Sequence, residues 1–270
     1  MSNAYSIIVC AGLAPDPLQR LEPMDTPTGP ALKNEMMLPA VLDPWAACAL
    51  YEADNLAKKL PGSKVYLVSM ALKTKLQQVM MVLSQKVPFE LVAIDGPSNG
   101  FTDARECASE LAQAIEAIPG LDKDKMLLFG GWESATRAAG ATMQILGEKL
   151  GVVDQFQGVD KIEIEPSGAI KLWERVEGGK QQVSLCESAP VMVGWATGEL
   201  PEPPNNPQVG MANMRTVMPA LQKAKSAAAS SSALKFKGVT LPAQVRETRI
   251  EKDMPVEAIA QELVTWIRGN

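Results

Sequence analysis

Five short apolar runs, separated by stretches with helical spacing, constrain this chain more than any other feature. They are residues 5–11 (YSIIVCA), 64–70 (KVYLVSM), 89–94 (FELVAI), 125–129 (KMLLF) and 189–195 (APVMVGW). A run that is apolar at consecutive positions is buried on both faces, and strands of that kind belong to parallel sheets covered by helices. The intervening segments supply the helices. Asp43 as N-cap and Pro44 at the first helical position open one of about four turns, with Trp45, Cys48, Ala49, Ala53, Leu56 and Leu60 at apolar spacing. Residues 72–85 carry Leu76, Val79, Met80 and Leu83 on one face, and helices over 102–118 and 133–150 follow. This alternation predicts βαβ units around a central first strand, with ligands gathering at the carboxyl ends of the strands.

After Gly151 the pattern changes. Residues 161–165 (KIEIE), 169–176 (AIKLWERV) and 181–186 are short runs separated by Pro166-Ser167-Gly168 and Glu177-Gly178-Gly179-Lys180, which predicts an antiparallel meander at the sheet edge. From Gly198 onward the periodicity fades through GELPEPPNNPQVG, a Met-rich segment and the small-residue tract 226–233, where few core contacts are expected. An amphipathic helix over 256–268 then gathers Ile259, Leu263, Val264, Trp266 and Ile267 largely on one side. The expected organisation is an α/β nucleotide-binding-like domain over 1–195 and a C-terminal loop and partner-wrapping arm over 196–270.

Composition removes several function classes. The 270 residues contain no histidine, which excludes Ser-His-Asp, Cys-His and HExxH chemistry. Cys10, Cys48, Cys107 and Cys186 form no CxxC pair, so zinc, iron–sulfur and a disulfide framework are not expected. Twenty-six Lys and Arg against 31 Asp and Glu give a net charge of -5, without the basic footprint of a nucleic-acid binder. Neither GxGxxG nor GxxxxGK[ST] occurs. No apolar run approaches the roughly 20 residues of a membrane span, and no charged segment followed by an apolar one opens the chain. A cytoplasmic protein without membrane insertion is expected.

Six local motifs, in order and at matching intervals, resemble the beta subunit of electron transfer flavoprotein across nearly the whole chain. They are Ile8-Val9-Cys10 through Asp16-Pro17, Asp43-Pro44-Trp45 followed by Glu52-Ala53, Val68-Ser69-Met70-Ala71, Glu174-Arg175-Val176-Glu177-Gly178-Gly179, Ser188-Ala189-Pro190-Val191, and the basic-alanine stretch 218–225. The resemblance implies a Rossmann-like parallel core of the adenine nucleotide alpha hydrolase-like type. It implies an alpha/beta heterodimer with FAD shared at the interface and held mainly by the alpha subunit, and AMP in the beta chain. The partners it implies are the alpha subunit, a flavin-dependent dehydrogenase as electron donor and a downstream quinone oxidoreductase as acceptor.

By the same resemblance the nucleotide pocket falls on Cys10, Ala11, Asp43, Pro44, Trp45, Ser69, Met70 and the loop 132–140. The family's acidic run and its Gln-Thr-Gly are replaced there by Glu133-Ser134-Ala135-Thr136-Arg137-Ala138-Ala139-Gly140. Arg137 then stands as a phosphate clamp, and Ser134 and Thr136 as donors near a helix N-terminus. Leu200 corresponds to the leucine anchor of the dehydrogenase-docking loop. The family's Pro-Arg-Tyr is replaced by Pro207-Gln208-Val209.

Plainer roles stand beside these. Asp43 is first a helix cap, Trp45 a core aromatic or an adenine stack, Cys10 a small buried hydrophobe, Glu133 a complement to its helix dipole, and Arg175 a solvated charge or an interface residue. Met211, Met214 and Met218 are gap fillers or a soft contact surface. Two alternatives remain open: a free-standing adenine-nucleotide-binding protein without flavin, and a degenerate beta-like subunit that keeps only the interface. No residue is assigned bond-making chemistry.

Overall fold

The computed structural model describes residues 4–27, 29–97, 102–136, 139–227, 237, 238, 240, 243 and 248–269. The expected strands form β1 (Ser6–Cys10), β6 (Lys64–Ala71), β7 (Glu90–Asp95), β8 (Met126–Gly131) and β12 (Val191–Trp195). Between β1 and β6 the chain inserts two small ribbons, β2 (Leu13–Pro15) with β5 (Ala40–Leu42) and β3 (Pro23–Thr26) with β4 (Gly29–Leu32), where sequence reading expects only a Pro-rich loop. The helices are α1 (Pro44–Lys59), α2 (Lys73–Leu83), α3 (Ala104–Glu116), α4 (Ala141–Leu150), α5 (Pro207–Gln222) and α6 (Val256–Arg268). The meander is β9 (Asp154–Ile164), β10 (Ile170–Val176) and β11 (Lys180–Cys186), and β13 (Lys225–Ser226) closes the far edge.

Nine strands among the described residues make one sheet in the order β11-β10-β9-β12-β8-β1-β6-β7-β13. Along that order every pair from β9 to β13 is parallel, and β10 pairs antiparallel with both β9 and β11. The protein is therefore α/β, with a large, mostly parallel sheet and antiparallel strands at one flank. The chain runs β1-β6-β7 in one direction and returns to β8 on the other side of β1, so the order reverses between β1 and β8.

Period-two geometry sends alternate residues of each strand into two cores. Ile7 and Val9 pack with α1, α2 and α5, through Leu50, Leu76, Met80 and Val217. Ile8 and Cys10 pack with α3 and α4, through Cys107, Leu111, Met143 and Leu146. Fully burying a side chain of this size stabilises by about 1.5–3 kcal/mol, so the two cores carry the fold.

Three elements differ from expectation. The helix expected from Glu133 begins at Ala141, and the described residues 132–136, 139 and 140 lie outside it. Packing forces the late start: Gly140 lies against the Trp132 carbonyl, where a Cβ would collide, and Asp43 holds the Ala135 N–H. Strand β9 begins at Asp154 rather than Lys161, because its first half pairs with β12 through backbone groups that need no apolar side chains. The Met-rich segment forms α5, capped by Asn206, whose side chain accepts the N–H groups of Gln208 (3.0 Å) and Val209 (3.4 Å). Asn213 Nδ2 donates to the carbonyls of Ser84 and Val87 at 2.7 Å each, and Val217 and Leu221 join the core, so this stretch contributes more core than expected.

Among the described residues no helix is long and apolar enough to cross a membrane. Helix α6 buries no residue, and Leu263, Trp266 and Ile267 are all exposed.

Candidate functional site

A cleft opens where the strand order reverses, as open α/β sheets lead one to expect. It encloses about 80 Å³ within an open depression of about 620 Å³. Its walls are the ends of β1 (Cys10, Ala11, Gly12) and β6 (Met70), the first turns of α1 and α4, one face of α3, and residues after β8.

The segment leaving β1 is fixed by three bonds. The Ala11 N–H donates to the Val68 carbonyl (3.0 Å), Ser69 Oγ donates to the Ala11 carbonyl (2.8 Å), and the Gly12 carbonyl accepts the Asp43 N–H (2.9 Å). Asp43, 5% exposed, then serves two segments at once. Its Oδ1 accepts the Trp45 N–H at 3.2 Å and caps α1, while its Oδ2 accepts the Ala135 N–H at 2.8 Å and ties down the loop after β8. With both oxygens engaged, its work is capping and tethering. Across this framework Gly12 faces open space: nothing lies within 4 Å of where its Cβ would stand. Gly131, by contrast, has Trp45 Cβ 2.6 Å from that position, so only glycine lets α1 approach β8 so closely.

Four sulfur side chains from four elements line the cleft: Cys10, Met70, Cys107 and Met143. Burial pushes the Cys10 thiol up to about 12, which keeps it neutral and unreactive at physiological pH. A soft, polarizable lining of this kind suits a planar aromatic ring. The N-terminal turn of α4, at Gly140 and Thr142, borders the same space.

Of the residues expected at a nucleotide site, Cys10, Ala11, Asp43, Met70, Glu133 and Ser134 line the cleft. Ser69 lies behind it as a hydrogen-bond donor. Pro44 occupies the first position of α1, and Trp45 turns to Trp132, with ring centroids 6.4 Å apart at 87°; neither lines the cleft. Ser134 and Thr136 sit before α4 rather than at its N-terminus, with their hydroxyls 2.9 Å apart. Arg137 lies outside the described residues. Sequence reading misses Gly12, Cys107, Leu111, Thr142 and Met143; for Gly12 the signal is a glycine just past the end of the first strand, and the other four carry no local signal.

The loop after β12 is held from below. Glu52, 8% exposed, accepts the Glu199 N–H at 2.8 Å, and burial raises its carboxyl above the ordinary value. Gly198, at φ 64°, passes so close that a Cβ would stand 2.8 Å from Glu52 Oε1. Lys86 bonds Glu202 at 2.6 Å, and Leu200 is partly buried against the core. Arg175 makes a bidentate pair with Asp160 at 2.8 and 3.0 Å and reaches Thr197 Oγ1 at 2.7 Å, which ties the meander to the same loop.

No protein-family model and no curated protein matches this chain.

Proposed function

We propose that this chain is a beta-type subunit of an electron transfer flavoprotein that holds an adenine nucleotide, AMP by resemblance, in the cleft between β1 and β8. In this reading it is a cytoplasmic protein with a Rossmann-like core of the adenine nucleotide alpha hydrolase-like type. It helps an alpha-type subunit enclose FAD, receives electrons from a flavin-dependent dehydrogenase and passes them to a quinone oxidoreductase. The observation that carries the nucleotide is the cleft itself, at the reversal of strand order, with open space over Gly12 and a sulfur-lined wall fit for a base. The first turn of α4 offers backbone N–H groups toward a phosphate. FAD, when bound, supplies the electron-transfer chemistry, and this chain's residues position and shield. The backbone bonds of Ala11 and Gly12 and the Asp43 tether hold the walls in place before a ligand arrives.

One observation favours a second reading. The side chain of Leu200, the residue assigned to dehydrogenase docking, packs against the protein's own core. A nucleotide-binding protein of the same fold, working without flavin, needs no such anchor to be free.

Expression of the chain alone and together with an alpha-type subunit, followed by absorbance and mass analysis of released small molecules, separates the two. A yellow heterodimer that releases FAD, with AMP present only where this chain is present, supports the first reading. A colourless chain that keeps a nucleotide and never joins the alpha subunit supports the second. A chain that releases no nucleotide in either preparation removes both.

A further inference from the structure

The two edges of the nine-stranded sheet are unlike. At one end β13 has two residues, and so short a strand cannot template another. At the other end β11 runs for seven residues, paired to β10 without a register shift, and among the described residues is the terminal strand of the sheet. It contains no proline, and its one charge is Lys180 at its first position. Val183 and Leu185 are 51% and 67% exposed. The features that keep an edge from pairing, namely shortness, proline, a bulge or a central charge, are absent from its middle.

We propose that β11 pairs antiparallel with β11 of a second copy of this chain, about a two-fold axis at Ser184. In that register Val183 stands opposite Leu185 of the second copy, and Leu185 opposite its Val183. The two pairs extend the apolar stripe begun by Trp173, the cross-strand neighbour of Val183 on β10, through the axis and into the other molecule. No like charges meet, because Lys180 faces Ser188 and Gln181 faces Glu187. An axis at Val183 instead sets Leu185 against Gln181 and loses the match. The strand carries its own complement, which selects a second copy over an unrelated strand. A two-fold contact also consumes both edges, so the assembly closes as a dimer.

The contact is small, below roughly 1,200 Å², so association depends on concentration. Light scattering of the 270-residue chain should show its mass rising from 28.9 kDa toward twice that value between about 1 and 100 μM. The double substitution Val183→Lys and Leu185→Lys, at two exposed positions, should leave the circular dichroism unchanged and hold the mass at 28.9 kDa. Ser184→Cys should cross-link to itself under mild oxidation, since residues directly opposite have Cβ atoms about 4.5–5.5 Å apart. Gln181→Cys, opposite Glu187, should not. The proposal is overturned by a mass of 28.9 kDa at every concentration, by a dimer that persists in the lysine variant, or by a Ser184→Cys that links no more than Gln181→Cys.

Discussion

Asp43 joins two segments 92 residues apart, and its removal is the sharpest probe of how the cleft is held. Asp43→Ala deletes the cap of α1, at about 1 kcal/mol. It also strands the Ala135 N–H, whose bond to a charged acceptor contributes about 1.5–3 kcal/mol. The sum is about 2.5–4 kcal/mol. At about 2–4 °C per kcal/mol for a chain of this size, the melting temperature falls by roughly 5–15 °C. Asp43→Asn separates the roles: an asparagine oxygen caps α1 as well as a carboxylate does, but its NH2 group cannot accept the Ala135 N–H. The Asn variant should therefore keep about 1 kcal/mol of the loss in Ala. Thermal melting followed by circular dichroism gives the stabilities, and hydrogen exchange over residues 132–136 reports the tether, with faster exchange in both variants. An Asn variant with wild-type exchange over those residues refutes the tether, and equal melting of Asn and Ala refutes the cap.

Three further outcomes follow from the geometry. The folded-state pKa of Glu52 lies above its ordinary 4.5, so the folded protein binds that proton more tightly than the unfolded chain. The stability it contributes is complete below 4.5 and is lost as pH rises through the raised folded value. Glu52→Gln should flatten that descent and match or exceed wild type at neutral pH; urea midpoints with the same pH slope in both proteins would falsify the burial argument. Gly131→Ala places a Cβ 2.6 Å from Trp45 Cβ and should destabilise by about 1–3 kcal/mol, read as a lower urea midpoint; an unchanged midpoint means that α1 yields freely. Truncation after residue 255 removes a helix that buries nothing, so the melting temperature should stay within about 1 °C of wild type, and a larger fall means that α6 packs on the body.

The parallel core is legible in the sequence because runs such as SIIVC and MLLFGG leave little choice: apolar on both faces, too short for helices, and followed by glycine or a cap. The start of α1 is equally legible, since Asp43-Pro44 caps by local chemistry alone. The start of α4 is not. Glu133, Ala135, Arg137, Ala138 and Ala139 are good helix formers, and what keeps the described part of that segment out of the helix is tertiary: the Asp43 bond to Ala135 and the fit of Gly140 against Trp132. The first half of β9 hides because Gln155, Gln157 and Gly158 break the apolar pattern while the backbone still pairs with β12. Helix α5 hides because Pro219 and scattered methionines blur its period, although Asn213 makes two buried bonds. For the cleft, the strand-end residues Cys10, Ala11 and Met70 can be read locally. The wall formed by Cys107 and Met143 cannot, because α3 and α4 reach the cleft only through the packing of a second layer.

The measurement that bears most directly on the account is nucleotide occupancy of purified wild type against Gly12→Leu. Position 12 faces open space, so leucine fills the cleft without displacing protein atoms near its Cβ, and the fold should survive by circular dichroism and melting. Wild type should release an adenine nucleotide on denaturation, detected by mass, and a folded Gly12→Leu less than a tenth as much. Equal release from both proteins would contradict the account.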